Sequence, residues 1–475
     1  MQPKQRRFVV PTVLALVALL FFWAAAQAGS GVPAAKGGSH PPKGPTTPLL
    51  SARRLAPYLV APIADAALHD QLDQVIADSP SDTCLTVSVG GRVLYEHHPD
   101  APMTPASTEK LVTSIAALDV LGQDTRFQTR VVAAGKPSDG VVQGDLYLVG
   151  GGDPLLATKA YVEHFQNQPQ IRTSLEDLAD RVVKAGVHRI TGRVVGDESR
   201  YDSDRYPDAW PARYAEQSQV GPLSALSVND AFQSWPEHQS REGTVESTPA
   251  TDPPVYAAQQ LIALLQARGV TVTGGAAAGT APKDDERIAE IDSVPMRQVV
   301  DQLVTESDNQ TAELLVKEMG RKAGGAATTN AGVAVVTKTM EKLHLARPGT
   351  HATDGSGLDE HNRVSCRLLM NILDQGGPRG VLASGLAIAG KTGTLAGRFL
   401  QSPARERLRA KTGTLNTVTA LTGFVNAQQG PVLTFAYIAN GEYVNDQLLK
   451  LQETLGGDLV VYPQGPALKA VGPQS

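Results

Sequence analysis

Two stretches of regular periodicity, residues 51–125 and 289–462, flank a segment of different texture at 126–288, and no other feature limits the fold as much. β-like runs lie near both ends of the flanking pair. Cys84–Val89 and Arg92–His97 meet at Gly90-Gly91, the pattern of a β-hairpin. Leu408–Thr414, Val418–Val425 and Val432–Ala439 read as three more strands, with Gln429-Gly430 as the turn before the last. Helical spacing fills the interval. A helix is expected from Ser107 to Leu121, with Pro105 before it and Gly122 beyond it. Apolar repeats follow at Val299, Val300, Leu303 and Val304, and at Leu314, Leu315 and Met319. A last helix is expected over Asp446–Leu455. Strands at both ends with helices between them predict one α/β (α+β) domain with a central antiparallel sheet closed by the N- and C-terminal segments. The middle segment holds short β-like runs at Thr129–Ala133 and Gly144–Val149, a Gly150-Gly151-Gly152-Asp153 turn and an amphipathic stretch at Leu175–Ala185. It reads as a β-rich insertion, separate and dispensable for chemistry but not for substrate choice. For 475 residues, two or three domains of ~100–200 residues each is the ordinary count.

The N-terminus indicates where the chain works. Lys4, Arg6 and Arg7 precede an uncharged apolar run from Phe8 to Ala26, and Ala26-Gln27-Ala28 has the small residues at which a signal peptidase cuts. A run of this length also suffices to span a bilayer, at ~20 residues, so 1–28 reads as an export signal or an anchor. Either way the protein is expected outside the cytoplasm, in the cell envelope, touching the membrane only through this segment. Removing it deletes those three cations and takes the net charge from −5 to −8. Residues 29–50, rich in Gly, Pro, Ser and Thr, read as a linker, and 463–475 as a disordered tail. The acidic balance excludes an ordinary nucleic-acid binder. Cys84 and Cys366 lie in an oxidising compartment, where one disulfide or two buried thiols both fit the sequence.

Three short motifs carry chemistry. Ser107-Thr108-Glu109-Lys110 is an S-x-x-K at a helix start. Residues three apart share a helix face, so the lysine amine can reach the serine hydroxyl, which is a weak nucleophile until a nearby base takes its proton. The helix N-terminus adds partial positive charge for a developing oxyanion. Alone the motif is weak, since ordinary composition yields on the order of one S-x-x-K by chance in a chain this long. Ser307-Asp308-Asn309 falls between two helical runs, and Lys411-Thr412-Gly413-Thr414 in a predicted strand. Singly, the first reads equally as a cap and the second as an exposed strand lysine.

Together and in this order, S-x-x-K, S-D-N and K-T-G are the signature of the β-lactamases and penicillin-binding proteins. Over residues 80–462 the chain resembles the D-alanyl-D-alanine carboxypeptidases of the low-molecular-mass class C. The resemblance includes Pro105-Ala106-Ser107, Gly144-Asp145-Leu146-Tyr147-Leu148, Gly151-Gly152-Asp153-Pro154, Asp354-Gly355-Ser356-Gly357-Leu358 and Asn362-Arg363. The long gap between Ser107 and Ser307 sets it apart from compact β-lactamases. The resemblance implies a serine β-lactamase/transpeptidase-like domain that acts on peptidoglycan peptides and is inhibited by β-lactam antibiotics. It implies Ser107 as nucleophile and Lys110 as base, with two lysines in one cleft lowering each other's pKa. Ser307 and Asn309 would relay the proton and orient the substrate amide. Lys411, Thr412, Gly413 and Thr414 would border the substrate's terminal carboxylate, with the backbone N–H groups of Ser107 and Thr414 as oxyanion hole.

Rival readings are fewer. Gly385-Leu386-Ala387-Ile388-Ala389-Gly390-Lys391-Thr392 matches the P-loop pattern, but Gly393-Thr394-Leu395-Ala396-Gly397 is a poor helix start and the expected compartment holds little ATP. A D,D-endopeptidase, a β-lactamase and a non-catalytic peptidoglycan-binding relative share the motifs in whole or part. The ten histidines form no H-E-x-x-H and no acidic pairing at ligand spacing, so neither metal nor cofactor is called for. Lys-Thr-Gly-Thr-Leu occurs twice, at Lys391 and Lys411. Two strands follow Lys411 and a Pro- and Arg-containing loop follows Lys391, so Lys411 is read as the site lysine.

Overall fold

The computed structural model describes residues 60–237, 247–428, 430–441 and 446–463. The N-terminal apolar run, the 29–50 linker, Gln429 and nearly all of the expected tail lie outside them. Among the described residues no helix is long and apolar enough to cross a membrane.

Among the described residues six strands form the central sheet, in the order Ala387–Ile388, Leu408–Leu415, Val418–Asn426, Val432–Asn440, Asp82–Val89, Arg92–His97. Every neighbouring pair is antiparallel. Asp82–Val89 and Val432–Asn440, far apart in the sequence, therefore meet inside the sheet, where Leu85 faces Tyr437. Both faces of the sheet are covered, which explains why its central strands read as continuous apolar runs. Along Val432–Asn440, Phe435, Tyr437 and Ala439 enter one core and Ala436 and Ile438 the other, the period-two alternation of a strand. One core packs under the helices Val60–Ala77 and Asp446–Val461, the other under Glu109–Leu121, Met296–Glu306, Asn309–Met319 and Cys366–Gly376.

One helix has no counterpart in the sequence reading, and another is longer than expected. Val60–Ala77 aims Ala64, Leu68, Leu72 and Val75 inward at helical spacing. Asp446–Val461 continues past Leu455 because Gly456-Gly457 does not end it. A Cβ on Gly456 would lie 2.8 Å from Phe399 Cε1 and 3.0 Å from Leu408 Cδ1. This glycine marks a close helix–sheet contact, not a cap.

Cys84, on the sheet, and Cys366, which opens its helix, form a disulfide across 282 residues of sequence. Closing so long a loop restricts the unfolded chain, and removing the bond costs about 2–5 kcal/mol. A Cys84→Ala/Cys366→Ala protein is expected to lose that much in urea denaturation. An unchanged midpoint and slope would show that the bond contributes nothing.

The segment after Phe127 builds its own five-stranded sheet, ordered Ala276–Ala278, Val194–Asp197, Leu146–Val149, Gln128–Ala133, Glu286–Asp292. The first three strands are parallel, and Gln128–Ala133 is antiparallel to both its neighbours. Parallel pairs need crossovers, and the helices Leu175–Lys184 and Pro253–Ala267 supply apolar faces to this core through Leu178, Val182, Leu261 and Leu265. The segment is thus mixed α/β, where a β-rich one was expected. Asp252 caps the second helix by accepting from the Val255 N–H, with proline in the first turn. The exit strand Glu286–Asp292 runs past the expected border at 288, because it pairs with the entry strand.

Candidate active site

Ser107 lies in the tight turn Ala106–Thr108, which leads directly into the helix Glu109–Leu121. It is half-buried, whereas Lys110 beneath it has no exposure. The Lys110 Nζ donates to Ser107 Oγ at 2.9 Å, to Asn309 Oδ1 at 2.7 Å and to the Ser356 carbonyl at 2.7 Å. Ser307 ends the helix Met296–Glu306 in a left-handed conformation, φ 60°. Asp308 then caps Asn309–Met319, accepting from the Thr311 N–H and hydroxyl at 3.1 and 2.9 Å. This sharp reversal lets Ser307 and Asn309 face different lysines.

Lys411 is fully buried in the strand Leu408–Leu415 and donates to Ser307 Oγ and to the Thr412 carbonyl, each at 2.8 Å. Gly413 passes so close to the serine turn that a Cβ would lie 2.7 Å from the Pro105 carbonyl oxygen. Only a residue without a side chain lets this strand lie against the turn. Thr414 is exposed. The structure thus joins Lys110 to Ser107 and Asn309, Lys411 to Ser307, and Gly413 to the turn.

The second Lys-Thr-Gly-Thr copy behaves differently. Lys391 is more than half exposed and pairs with equally exposed Glu406 at 3.3 Å. Its neighbour Thr394, however, is 2.8 Å from Thr412, hydroxyl to hydroxyl. The same residues fail as a phosphate loop. Gly385 ends a short helix, Ala387–Ile388 is a two-residue strand, and only the single turn Gly393–Leu395 follows.

Sequence reasoning missed a buried acidic group behind the lysine. Glu109, Glu313 and Asp354 are all buried, and Glu109 Oε2 and Glu313 Oε2 have no hydrogen-bond partner among the described residues. Burial pushes Glu109 well above the usual carboxylate range, with Asp354 and Glu313 adding to it. Burial pushes Glu313 up to about 8, again with Asp354 adding. Burial raises Asp354 too, but against hydrogen bonds donated by Asp359, Gly357, Trp210 and Asn362. Burial and the neighbouring carboxylates thus favour the protonated forms of the two glutamic acids, whereas the hydrogen bonds donated to Asp354 favour its charged form. A Glu inside S-x-x-K and another four residues after S-D-N resemble ordinary helix-surface residues, so no local signal marks them.

The inserted segment borders the site. The Gln219 carbonyl accepts from Asn309 Nδ2 at 2.7 Å, and Trp210 Nε1 donates to Asp354 at 2.9 Å. The segment read as dispensable for chemistry supplies hydrogen bonds to the site's own residues. Among the described residues, no group of three or more His, Cys, Asp or Glu is placed to hold a metal ion.

Comparison with known proteins gives a consistent result. The profile described as the D-Ala-D-Ala carboxypeptidase 3 (S13) family matches residues 68–248 and 236–455. A carboxypeptidase of Mycobacterium tuberculosis is 31% identical over 367 residues, which covers 75% of this chain and 75% of that one. The D-alanyl-D-alanine carboxypeptidase of an Actinomadura species is 29% identical over 451 residues, 79% of this chain and 81% of its own. Penicillin-binding protein 4 (dacB) from Haemophilus influenzae has the same fold, with a TM-score of 0.69 at 20% identity over 82% of this chain and 99% of that one.

Proposed function

The chain belongs to the D-Ala-D-Ala carboxypeptidase 3 (S13) family, and from this premise we infer that it is a serine D,D-peptidase that removes the terminal D-Ala of peptidoglycan stem peptides through an acyl-enzyme. Ser107 is the nucleophile, and the observation that carries this reading is Lys110 Nζ at 2.9 Å from Ser107 Oγ. Lys110 takes the hydroxyl proton as the oxygen attacks the carbonyl carbon of the penultimate D-Ala. The departing D-Ala amine must gain a proton, and Ser307 relays one to it, a role supported by the hydrogen bond it accepts from Lys411. Asn309 orients the substrate amide. Lys411, Thr412 and Thr414 receive the terminal carboxylate, and the N–H groups of Ser107 and Thr414 receive the oxyanion. Water then releases the peptide and frees Ser107. β-Lactams acylate the same hydroxyl, and their slow hydrolysis makes them inhibitors.

In this reading, 51–125 and 289–462 form the penicillin-binding domain, and 126–288 forms the flank of the cleft around Asn309. The enzyme acts on cell-wall substrate outside the cytoplasm. Lys4, Arg6, Arg7 and the apolar run after them support export by the N-terminal segment. The mass of the protein recovered from cells decides between cleavage after Ala28 and retention as an anchor. The central test is to label the protein with a fluorescent penicillin, map the adduct, and then compare a D-Ala-D-Ala peptide with a cross-linked muropeptide. An adduct on Ser107 with free D-Ala from the peptide is the expected result. Cleavage of the cross-link alone would make the enzyme an endopeptidase.

A further inference from the structure

The buried groups behind Lys110 have a geometry that the acylation steps above do not use. Gly355 and Ser356 have two backbone N–H groups and two carbonyls, and all four are bound. Both N–H groups donate to Glu313 Oε1, at 3.0 and 2.7 Å. The Gly355 carbonyl accepts from Thr113 Oγ1 at 2.7 Å, and the Ser356 carbonyl accepts from Lys110 Nζ at 2.7 Å. The dipeptide is thus held between two helices. Thr113 and Lys110 reach it from Glu109–Leu121, and Glu313 from Asn309–Met319.

Asn309 and Glu313 stand four residues apart, one turn along the same helix face. The first accepts directly from Lys110. The second holds the N–H of Ser356, the residue whose carbonyl accepts from Lys110, while the peptide unit of that carbonyl is held at its other end by the Gly357 N–H on Asp354 Oδ1 at 2.8 Å. We propose that Glu313 is a positioning residue for the reaction: by fixing the Gly355-Ser356 peptide, it aims the Ser356 carbonyl at the Lys110 amine and keeps that amine within reach of Ser107. The proposal rests on the reading of Lys110 as the base.

An amine with freely rotating stem bonds needs more than one acceptor to hold it on a single target. The Ser356 carbonyl supplies one that does not depend on the nucleophile, so it can hold the amine while Ser107 is esterified. Without the Glu313 carboxyl, the buried N–H groups of Gly355 and Ser356 lose their partner, and the backbone of these two residues must shift to find another. The Ser356 carbonyl, on the next peptide unit, is displaced with the Ser356 backbone to which it is joined. Burial pushes Glu313 up to about 8, which favours its neutral form near neutral pH, so glutamine is its close mimic: it keeps the oxygen that both N–H groups need.

The test compares wild type, Glu313→Ala, Glu313→Asp and Glu313→Gln by stopped-flow acylation with a fluorescent penicillin. The rate constant of acylation, the dissociation constant of the prior complex and the fraction of protein labelled are read separately. Misplacement of a reacting group by about 1 Å costs on the order of a hundredfold. A loss of that order in the rate constant is expected for the alanine and aspartate variants, with the dissociation constant and labelled fraction unchanged. Glutamine should restore the rate. A folding defect would lower the labelled fraction instead. If the alanine variant does not fold, the aspartate variant, which keeps the carboxyl but withdraws it by one methylene, decides. Wild-type rates in a fully labelled aspartate variant, or a glutamine variant as slow as the aspartate one, would overturn the proposal. An adduct mapped away from Ser107 in wild type would instead overturn the reading on which it rests.

Discussion

Ser107→Ala should abolish both labelling by penicillin and release of D-Ala. In the folded enzyme this hydroxyl stands 2.9 Å from Lys110 Nζ, an amine with no exposure that Asn309 and Ser356 hold in place. Alanine leaves the amine, its other two acceptors and the packing of the turn intact, so the variant should fold and still admit substrate. What it lacks is the only atom the reading allows to form the ester. Losing the nucleophile of a serine hydrolase costs roughly a millionfold in turnover. The residual rate, set by binding and oxyanion donors alone, should fall below detection in a D-Ala release assay. Covalent labelling is the stricter measurement, because it needs no turnover. A fluorescent band from the Ser107→Ala protein, or a wild-type adduct on any other residue, would remove Ser107 from the mechanism.

The parts of the site that were legible in the sequence are those whose chemistry is local. Ser107 and Lys110 are three residues apart on one helix start, and Ser307 sits at a reversal that a Ser-Asp-Asn between two helical runs already suggests. The strands Val418–Asn426 and Val432–Asn440 were legible because both faces of the sheet are covered, leaving nearly unbroken apolar runs. Contacts between distant segments were not. Glu109 and Glu313 look like solvated helix residues until the 354–358 loop folds over them. The disulfide depends on bringing Cys84 within 6.0 Å, Cα to Cα, of a residue 282 positions away. Gly456-Gly457 imitates a helix end, and only the Phe399 ring packed against it shows why glycine is needed there. The helix Pro253–Ala267 has its signals in plain view, an Asp cap and prolines in the first turn, but they lie among Pro- and Asp-rich stretches that read as loop.

The two Lys-Thr-Gly-Thr copies give the sharper test, since local sequence is the same and only placement differs. Lys411 is buried, with its amine 2.8 Å from Ser307 Oγ and 2.8 Å from the Thr412 carbonyl. Replacing it by alanine empties the space behind the strand and removes the cation meant for the substrate carboxylate. It also leaves a buried hydroxyl and a carbonyl without that partner. Removing one preorganised electrostatic donor from a site costs on the order of a hundredfold to a thousandfold in rate, so acylation should fall by about a hundredfold or more. Lys391 has an exposed pair with Glu406 at 3.3 Å, and an exposed pair contributes about 0–1 kcal/mol to stability. Lys391→Ala should therefore leave acylation within a few-fold of wild type. The loop that carries Lys391 does reach the site, but by the Thr394 hydroxyl against Thr412, so Thr394→Val should slow the reaction more than Lys391→Ala and less than Lys411→Ala. That order is set by burial and distance alone. Equal losses at the two lysines would mean that Lys391 turns inward when substrate binds, and a reversed order would mean that the strand copy serves only the packing of the sheet.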